Sequence, residues 1–386
     1  MKSQKPTVRT LITAALMVVI AAGCASGPDR KELQTVIEDA AQVFEQGGLP
    51  PGLVNRISRA QVTLLGETHY VQEHQEMLVA LFPELQRAGY RQLGVESMQA
   101  FGWILDDYVR GSRDDYPQGL APLDSFWIEG LRDFNAPLAR EDQIGVFCFD
   151  MNHWSDSFQQ SLLAMSRELD HPELKRYAGE ILLLDPGSTG YRRALESLYT
   201  LELSDPWMER LTRMVEIEEQ SIGLRDSMKD SAREALIIRL VEEQLDAGTG
   251  KVVVNTGMFH AQRQVFMGTI RRRLGTVLDE RYDQNPDALF SLAVFGFTGE
   301  RRNRFYDTES VGITPPWQRK ENNLTRLLWE LPRRGEGGNI FIPLDDPLFQ
   351  ESMGVAYSFD ELRAAPGRQF DAYLVFSSIS VLRSMQ

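Results

Sequence analysis

Short apolar runs alternate with longer amphipathic stretches along most of the chain. The runs at 61–65, 92–95, 144–149, 251–255, 289–295 and 372–376 are nearly continuous in apolar residues. Runs of that kind predict strands buried on both faces of a mostly parallel sheet. Between 155 and 247 strand signals almost cease. Leu162, Leu163, Met165, Leu169, Leu195, Leu198 and Leu201 keep helical spacing, and Asp205-Pro206 is an N-cap and N1 pair that opens a long helix. The pattern predicts an α/β domain over 33–386: a mostly parallel central sheet flanked by helices, with a helical insertion at about 157–220. The insertion either roofs a cleft as a lid or packs on the sheet. A helix over 33–44 and a turn at 47–52 precede the first strand, and 301–338 reads as a charged, irregular excursion.

The N-terminus follows a different pattern. Lys2, Lys5 and Arg9 precede the apolar run 11–20, after which Ala21, Ala22 and Gly23 lead into Cys24. This is the order of a secretory signal peptide, and the apolar run is too short for a comfortable membrane span. The segment Ala21-Ala22-Gly23-Cys24 resembles the bacterial lipobox. That resemblance implies removal of residues 1–23, acylation of Cys24 and a short polar tether over 24–32. With Ala25 and Ser26 following and no Asp beside the cysteine, it further implies the periplasmic face of the outer membrane if the host is Gram-negative. Loss of residues 1–23 removes three cations and no acid, taking the net charge from −14 to −17. So acidic a chain argues against nucleic acid and against electrostatic adhesion to anionic lipid, which leaves the acyl group as the membrane contact. The second cysteine, Cys148, lies in an apolar run and reads as a small core residue.

Candidate chemistry gathers at the carboxyl ends of the predicted strands. The first strand is followed by Gly66-Glu67-Thr68-His69, the second by Glu96, the third by Asp150-Met151-Asn152-His153 and the fourth by Thr256-Gly257-Met258-Phe259-His260. That edge is where α/β sheets build their sites. If the chain stays extended from Glu67 to His69, both side chains point the same way. His74 shares a helical face with Leu78, Leu81 and Leu85. In the first turn it would stay neutral, to accept a proton or bind a metal, or else it is a hydrogen-bonded core histidine. Glu96 is a site acid or a solvated loop acid, and Asp150 a site acid or a helix cap. His153 and His171 read as surface residues. His260, presented by a Thr-Gly turn, reads as functional. No G-x-S-x-G, H-E-x-x-H, Walker or G-x-G-x-x-G pattern occurs in a fitting context.

The segments 64–74 (LLGETHYVQEH) and 93–98 (LGVESM) resemble the opening of the ChaN family of haem-binding lipoproteins, which sits with the erythromycin esterases and the Tiki proteases in one superfamily. Residues 224–228 (LRDSM) and 252–261 (VVVNTGMFHA) extend the resemblance. Three further segments, Phe266-Met267-Gly268 to Arg273-Leu274-Gly275, Phe149-Asp150-Met151 and Phe370-Asp371-Ala372, look more like the esterase branch. The resemblance implies two functions. In a hydrolase of an ester or related bond, His69 is the general base, oriented by Glu67 and Glu96. His260 is an acid or polarises the carbonyl and Arg225 holds an oxyanion, while His74, from its helical position, joins the candidate catalytic residues. A variant places a divalent metal on Glu67, His69 and His260. In a ChaN-like protein the same imidazoles bind haem or another iron ligand for uptake. The partner is then a small-molecule substrate or haem.

The export reading has a direct test. Cys24→Ser is expected to abolish incorporation of labelled palmitate in a bacterial host, while the parent chain is labelled. Equal labelling of both would remove Cys24 as the acylated residue.

Overall fold

The structure is a computed structural model that describes residues 28–116, 121–227, 230–248, 250–264, 270, 272–302, 310–318, 324–331, 338–358 and 361–383. Cys24 and its leader, Met228 and Phe266-Met267-Gly268 lie outside the described residues. Among the described residues no helix is long and apolar enough to cross a membrane.

An eight-stranded sheet organises the chain. Its strands are β1 (Gln42–Phe44), β2 (Val62–Glu67), β3 (Tyr90–Met98), β4 (Gly145–Asp150), β5 (Lys251–Gly257), β6 (Leu289–Gly296), then β9 (Asn339–Pro343) and β12 (Ala372–Phe376). Between them in sequence lie two small hairpin pairs, β7 (Glu300–Arg302) with β8 (Ser310–Gly312) and β10 (Met353–Ala356) with β11 (Glu361–Ala364). The sheet order is β1-β9-β12-β6-β2-β5-β3-β4. The six strands from β12 to β4 are mutually parallel, and β9 and β1 extend one edge antiparallel. This is the mostly parallel α/β fold that the apolar runs predict. β6 is buried along its whole length and β5 carries three consecutive valines, as strands covered on both faces require.

Helices cover the two faces. One core packs Leu53, Leu78, Leu81 and Ile128 against the sheet, and the other packs Ile237, Val241, Leu274 and Leu328 on the opposite side. The helices are α1 (Arg30–Ala40), α2 (Pro51–Arg59), α3 (Gln72–Arg87), α4 (Gly102–Val109), α5 (Ala121–Asn135), α6 (Ser155–Leu169), α7 (Pro172–Leu182), α8 (Thr189–Leu198), α9 (Asp205–Ser227) and α10 (Asp230–Asp246), with shorter ones later. From α6 to α9 the chain builds a core of its own from Phe158, Leu162, Leu195, Leu198, Leu211 and Val215, which Ala100 from the turn after β3 joins.

Several local expectations change. Residues 42–44 leave the helix expected over 33–44 and form β1, because β9 offers an antiparallel partner from Asn339 to Phe341. Arg30–Glu32, expected in the tether, begin α1, because Asp29 caps it by accepting from Lys31 N and Glu32 N. The excursion at 301–338 contains β8 and a short helix, Leu324–Trp329. β2, β3, β4 and β5 each run one to three residues past their expected ends, so Glu67, Glu96 and Asp150 belong to strands and not to loops.

Candidate active site

The parallel register sets the site. Glu67 of β2 lies opposite Gly257 of β5, and Val95 of β3 opposite Asn255. Between Val95 and Met98 the β3–β4 register shifts. Such a bulge re-aims side chains, and here it turns Glu96 toward β5. Glu96 Oε2 accepts from Thr256 Oγ1 and from Gly257 N, both at 2.7 Å. Glu96 Oε1 accepts from Arg233 Nη2 at 2.8 Å and lies 3.3 Å from His260 Nε2. Burial alone would raise this carboxyl. The charge and hydrogen bond of His260, with the charges of His69 and Arg233, outweigh it and hold Glu96 well below the usual carboxylate range.

A second acid gathers two imidazoles. Glu67 Oε1 is 3.1 Å from His69 Nδ1, and Oε2 is 3.0 Å from His74 Nε2. Burial works against the Glu67 charge, but His74 and then His69 outweigh it and lower the carboxyl to about 2. His69 reaches Glu67 through a turn and not through an extended chain: the strand stops at Glu67, and Tyr70 takes a left-handed φ of 62°. The C-terminal segment holds that turn. Leu382 N donates to Tyr70 O at 3.1 Å, Gln72 N to Ser380 O at 3.0 Å, and Ser380 N and Oγ to Glu73 at 2.8 and 2.7 Å. The His69 ring lies over Gly257, where an added Cβ would stand 2.7 Å from Nε2. Its side chain is 35% exposed, against 1% for His74 and 9% for His260. Burial disfavours the His69 imidazolium, but the Glu67 hydrogen bond and the charges of Glu96 and Glu67 raise its pKa above 6.5.

The row continues across β3 to β4. Arg233 of α10 donates from Nε to Asp150 Oδ1 at 2.9 Å and from Nη2 to Oδ2 at 2.6 Å, thus bridging Asp150 and Glu96. Asp150 also pairs with His153 Nε2 at 2.8 Å. Burial opposes the Arg233 cation, yet Asp150 and Glu96 raise its pKa further. Glu234, the next residue, is buried and lies 2.7 Å from His260 Nδ1, while its Oε1 accepts from Leu274 N at 2.8 Å. Burial by itself would lower the His260 pKa, but Glu96 and Glu234 push it up to about 10.

The structure therefore brings Glu67, His69, His74, Glu96 and His260 into one row. It gives two of them other work than expected. His74 Nε2 sits 2.7 Å from Asn255 Oδ1 as well as on Glu67, so it is a buried group that fixes Glu67. His260 is clamped between two carboxylates and steadies Glu96 from below. Arg225 does not join the row. Its Nη1 donates to Asn152 O at 2.5 Å and its Nη2 to Glu218 Oε1 at 2.7 Å, with Tyr191 and Asn152 Nδ2 completing a buried network. It ties α9 to the turn after β4, and the arginine that reaches the row is Arg233. His153, expected at the surface, is the partner of Asp150. His171 caps α7 by accepting from Leu174 N. Arg233 and Glu234 are the residues missed by the sequence reading. Their signal was two charges on the stripe that Ile237 and Val241 bury.

The donor set does not suit a metal. Both Glu67 oxygens serve imidazoles and both His260 nitrogens face carboxylates. Among the described residues no three His, Cys, Asp or Glu converge in a ligating arrangement. Haem fits no better, since His74 and His260 are buried with Nε2 turned to acceptors and Gly257 closes one side of His69 Nε2.

No known family profile and no curated protein matches the chain. Among solved structures it is similar to a succinoglycan biosynthesis protein, with 16% identity and a TM-score of 0.68 over 92% of this chain and 99% of that one. It is also similar to a mutant of erythromycin esterase EreC in its open conformation, with 14% identity and a TM-score of 0.63 over 88% of this chain and 98% of that one. ChaN of Campylobacter jejuni, solved with cofacial haem, reaches a TM-score of only 0.29 at 11% identity, over 65% of this chain and 90% of that one. The chain thus shares its fold with these first two proteins.

Two measurements check the geometry. Gly257→Ala keeps an ordinary φ but drives a methyl into the His69 ring, so it should fold normally and lose about 100-fold in any His69-dependent rate, the scale of an ångström of misplacement. The raised His260 pKa contributes stability that is fully present below pH 6.5 and is lost as pH rises through about 10. The melting temperature should therefore fall over that range, and His260→Gln should flatten the fall. An equal fall in both chains would remove His260 as its source.

Proposed function

We propose that the protein is a metal-independent hydrolase of an ester or related acyl bond, in which His69 is the general base for an attacking water and Arg233 faces the developing oxyanion. The observation that carries this reading is the Glu67–His69 pair. It joins a half-buried, ionised carboxylate to the Nδ1 of the most exposed imidazole in the row. That arrangement fixes the ring and leaves Nε2 as the nitrogen that takes a proton. The fold shared with an erythromycin esterase supports the reaction class.

The chemistry runs in two steps. Water loses a proton to His69 Nε2 as its oxygen attacks the carbonyl carbon, and the carbonyl electrons move to oxygen. Arg233 stays charged, is 25% exposed and is held rigidly by Asp150 and Glu96, so it stabilises that oxygen without reorganising. Collapse of the tetrahedral species expels the alkoxide, which takes the proton from the His69 imidazolium. Glu67 and Glu96 offset the positive ring throughout. Export and acylation at Cys24 would place this activity at a membrane surface, with the acidic domain facing away from anionic headgroups.

A chromogenic ester and lactone panel tests the proposal. His69→Ala is expected to lower kcat/KM at least about 1,000-fold with its melting profile intact, in line with loss of a general base. The base must be neutral, so kcat/KM should rise with pH through a pKa above 6.5, and Glu67→Gln should move that limb downward while lowering the maximum. Full activity of His69→Ala would sink the mechanism. So would activity that chelators abolish and zinc restores.

A further inference from the structure

The turn that presents His69 is not one its own sequence favours. Tyr70 holds a left-handed φ of 62°, a region that tyrosine enters at a cost and glycine or asparagine enters more readily. Val71 stands at the N-cap of α3 and makes no side-chain hydrogen bond to the first turn. Serine, threonine, aspartate or asparagine would supply one there. Both imidazoles on Glu67 depend on this stretch: His69 immediately precedes Tyr70, and His74 lies in the first turn of α3.

The missing cap comes from the C-terminal segment. Ser380 makes three bonds to the start of α3. Its carbonyl accepts from Gln72 N at 3.0 Å, which satisfies one of the N–H groups that a helix start leaves open. Its own N–H donates to Glu73 Oε2 at 2.8 Å, and its hydroxyl donates to Glu73 Oε1 at 2.7 Å. Both oxygens of Glu73 are thus engaged by one residue. On either side of Ser380 the contact continues. Val381 bridges Val71 antiparallel, and Leu382 N donates to Tyr70 O at 3.1 Å. Behind Ser380, buried Ile379 ties the segment to the chain just past β6, donating from N to Thr298 O at 3.0 Å and accepting from Glu300 N at 2.9 Å. The cap is therefore held by the sheet and not by the turn it serves.

We propose that Glu73 and Ser380 are positioning residues, a clasp that caps α3 from outside and thereby sets His69 and His74 on Glu67. The clasp acts through the backbone of Tyr70 and Val71. Its effect on a rate rests on the reading of His69 as the general base, whereas its effect on the imidazole does not. Burial and the charge of His260 lower the His69 pKa, while the Glu67 hydrogen bond and the charges of Glu96 and Glu67 raise it above 6.5. A slackened turn weakens the hydrogen bond first, because that contact depends most steeply on distance and angle. The imidazole pKa then falls.

The test is an NMR titration of the histidine-labelled full chain, with His69 assigned by its loss in His69→Ala, alongside a chromogenic ester assay. The parent is compared with Glu73→Ala and Glu73→Gln. Both variants lose the same charge, and only glutamine keeps an oxygen for Ser380 N and a second polar group for the hydroxyl. Glu73→Ala is expected to lower the His69 pKa toward 6.5 and kcat/KM by about 100-fold, the scale of an ångström of misplacement, with a cooperative melting transition retained. Glu73→Gln should restore most of both. Ser380→Ala keeps the backbone bonds and loses only the hydroxyl, so it should lower both quantities partway, and it carries the test if Glu73→Ala does not fold. A His69 pKa that is the same in the parent, Glu73→Ala and Ser380→Ala would overturn the proposal. So would an equal fall in Glu73→Ala and Glu73→Gln, which would assign the shift to lost charge. A pKa that follows the clasp in a chain that cleaves no ester would uphold the clasp and remove the hydrolase reading instead.

Discussion

A carboxylate placed in a parallel sheet with little access to water has to be met by donors, and the site is arranged around meeting Glu96. The bulge in β3 points it at β5, where a hydroxyl and a backbone N–H occupy one oxygen. The other oxygen draws in Arg233 and His260. Removing any one of these would leave a buried charge short of a partner, which costs far more than the contact itself is worth. β3 and the later pair α10 and β5 are thereby pinned together at the strand ends. Arg233 then extends the same constraint to β4 through Asp150.

Around that anchor the remaining charges alternate in sign. His74 and His69 flank Glu67, His260 sits between Glu96 and Glu234, and Arg233 sits between Glu96 and Asp150. Alternation is what lets so many ionisable groups share a space with little water, because each desolvation cost is offset by a neighbour. It also divides the labour among three imidazoles that look alike in sequence. Burial and acceptors on Nε2 make His74 and His260 into struts, and of the three only His69 keeps substantial exposure. The left-handed Tyr70 and the pairing of its turn with the C-terminal segment show that this access is held in place by the last strand's continuation, three hundred residues away along the chain.

The helical insertion has a core of its own, and hydrogen bonds tie it to the turns after β3 and β4. Prominent among these is the network of Glu218, Arg225, Tyr191 and Asn152, with Ala100 N donating to Asn152 Oδ1 at 3.2 Å. Arg225 therefore holds α9 against the turn after β4, a structural role that its charge and its place near the site do not by themselves distinguish from catalysis.

Much of this architecture was legible in the sequence because burial on both faces of a parallel sheet writes itself as continuous apolar runs. The acids and imidazoles after those runs predict a shared edge at the strand ends, and the structure brings Glu67, His69, Glu96 and His260 together there. β1 and β9 were not legible: β1 is a three-residue edge strand defined by the partner it finds, and β9 is a five-residue run that follows the charged, turn-rich stretch 301–338. Arg233 and Glu234 were hidden for a related reason: on a helix they look like ordinary charges until the sheet places Glu96 and His260 against them. Sequence determined which residues stand at the strand ends. Only the tertiary structure decided which imidazole is exposed, which carboxylate each one serves and which arginine reaches the row, because those outcomes depend on how turns and helices settle against the strand ends, as where Arg233 meets Glu96 across 137 positions of sequence, and on the desolvation those contacts impose.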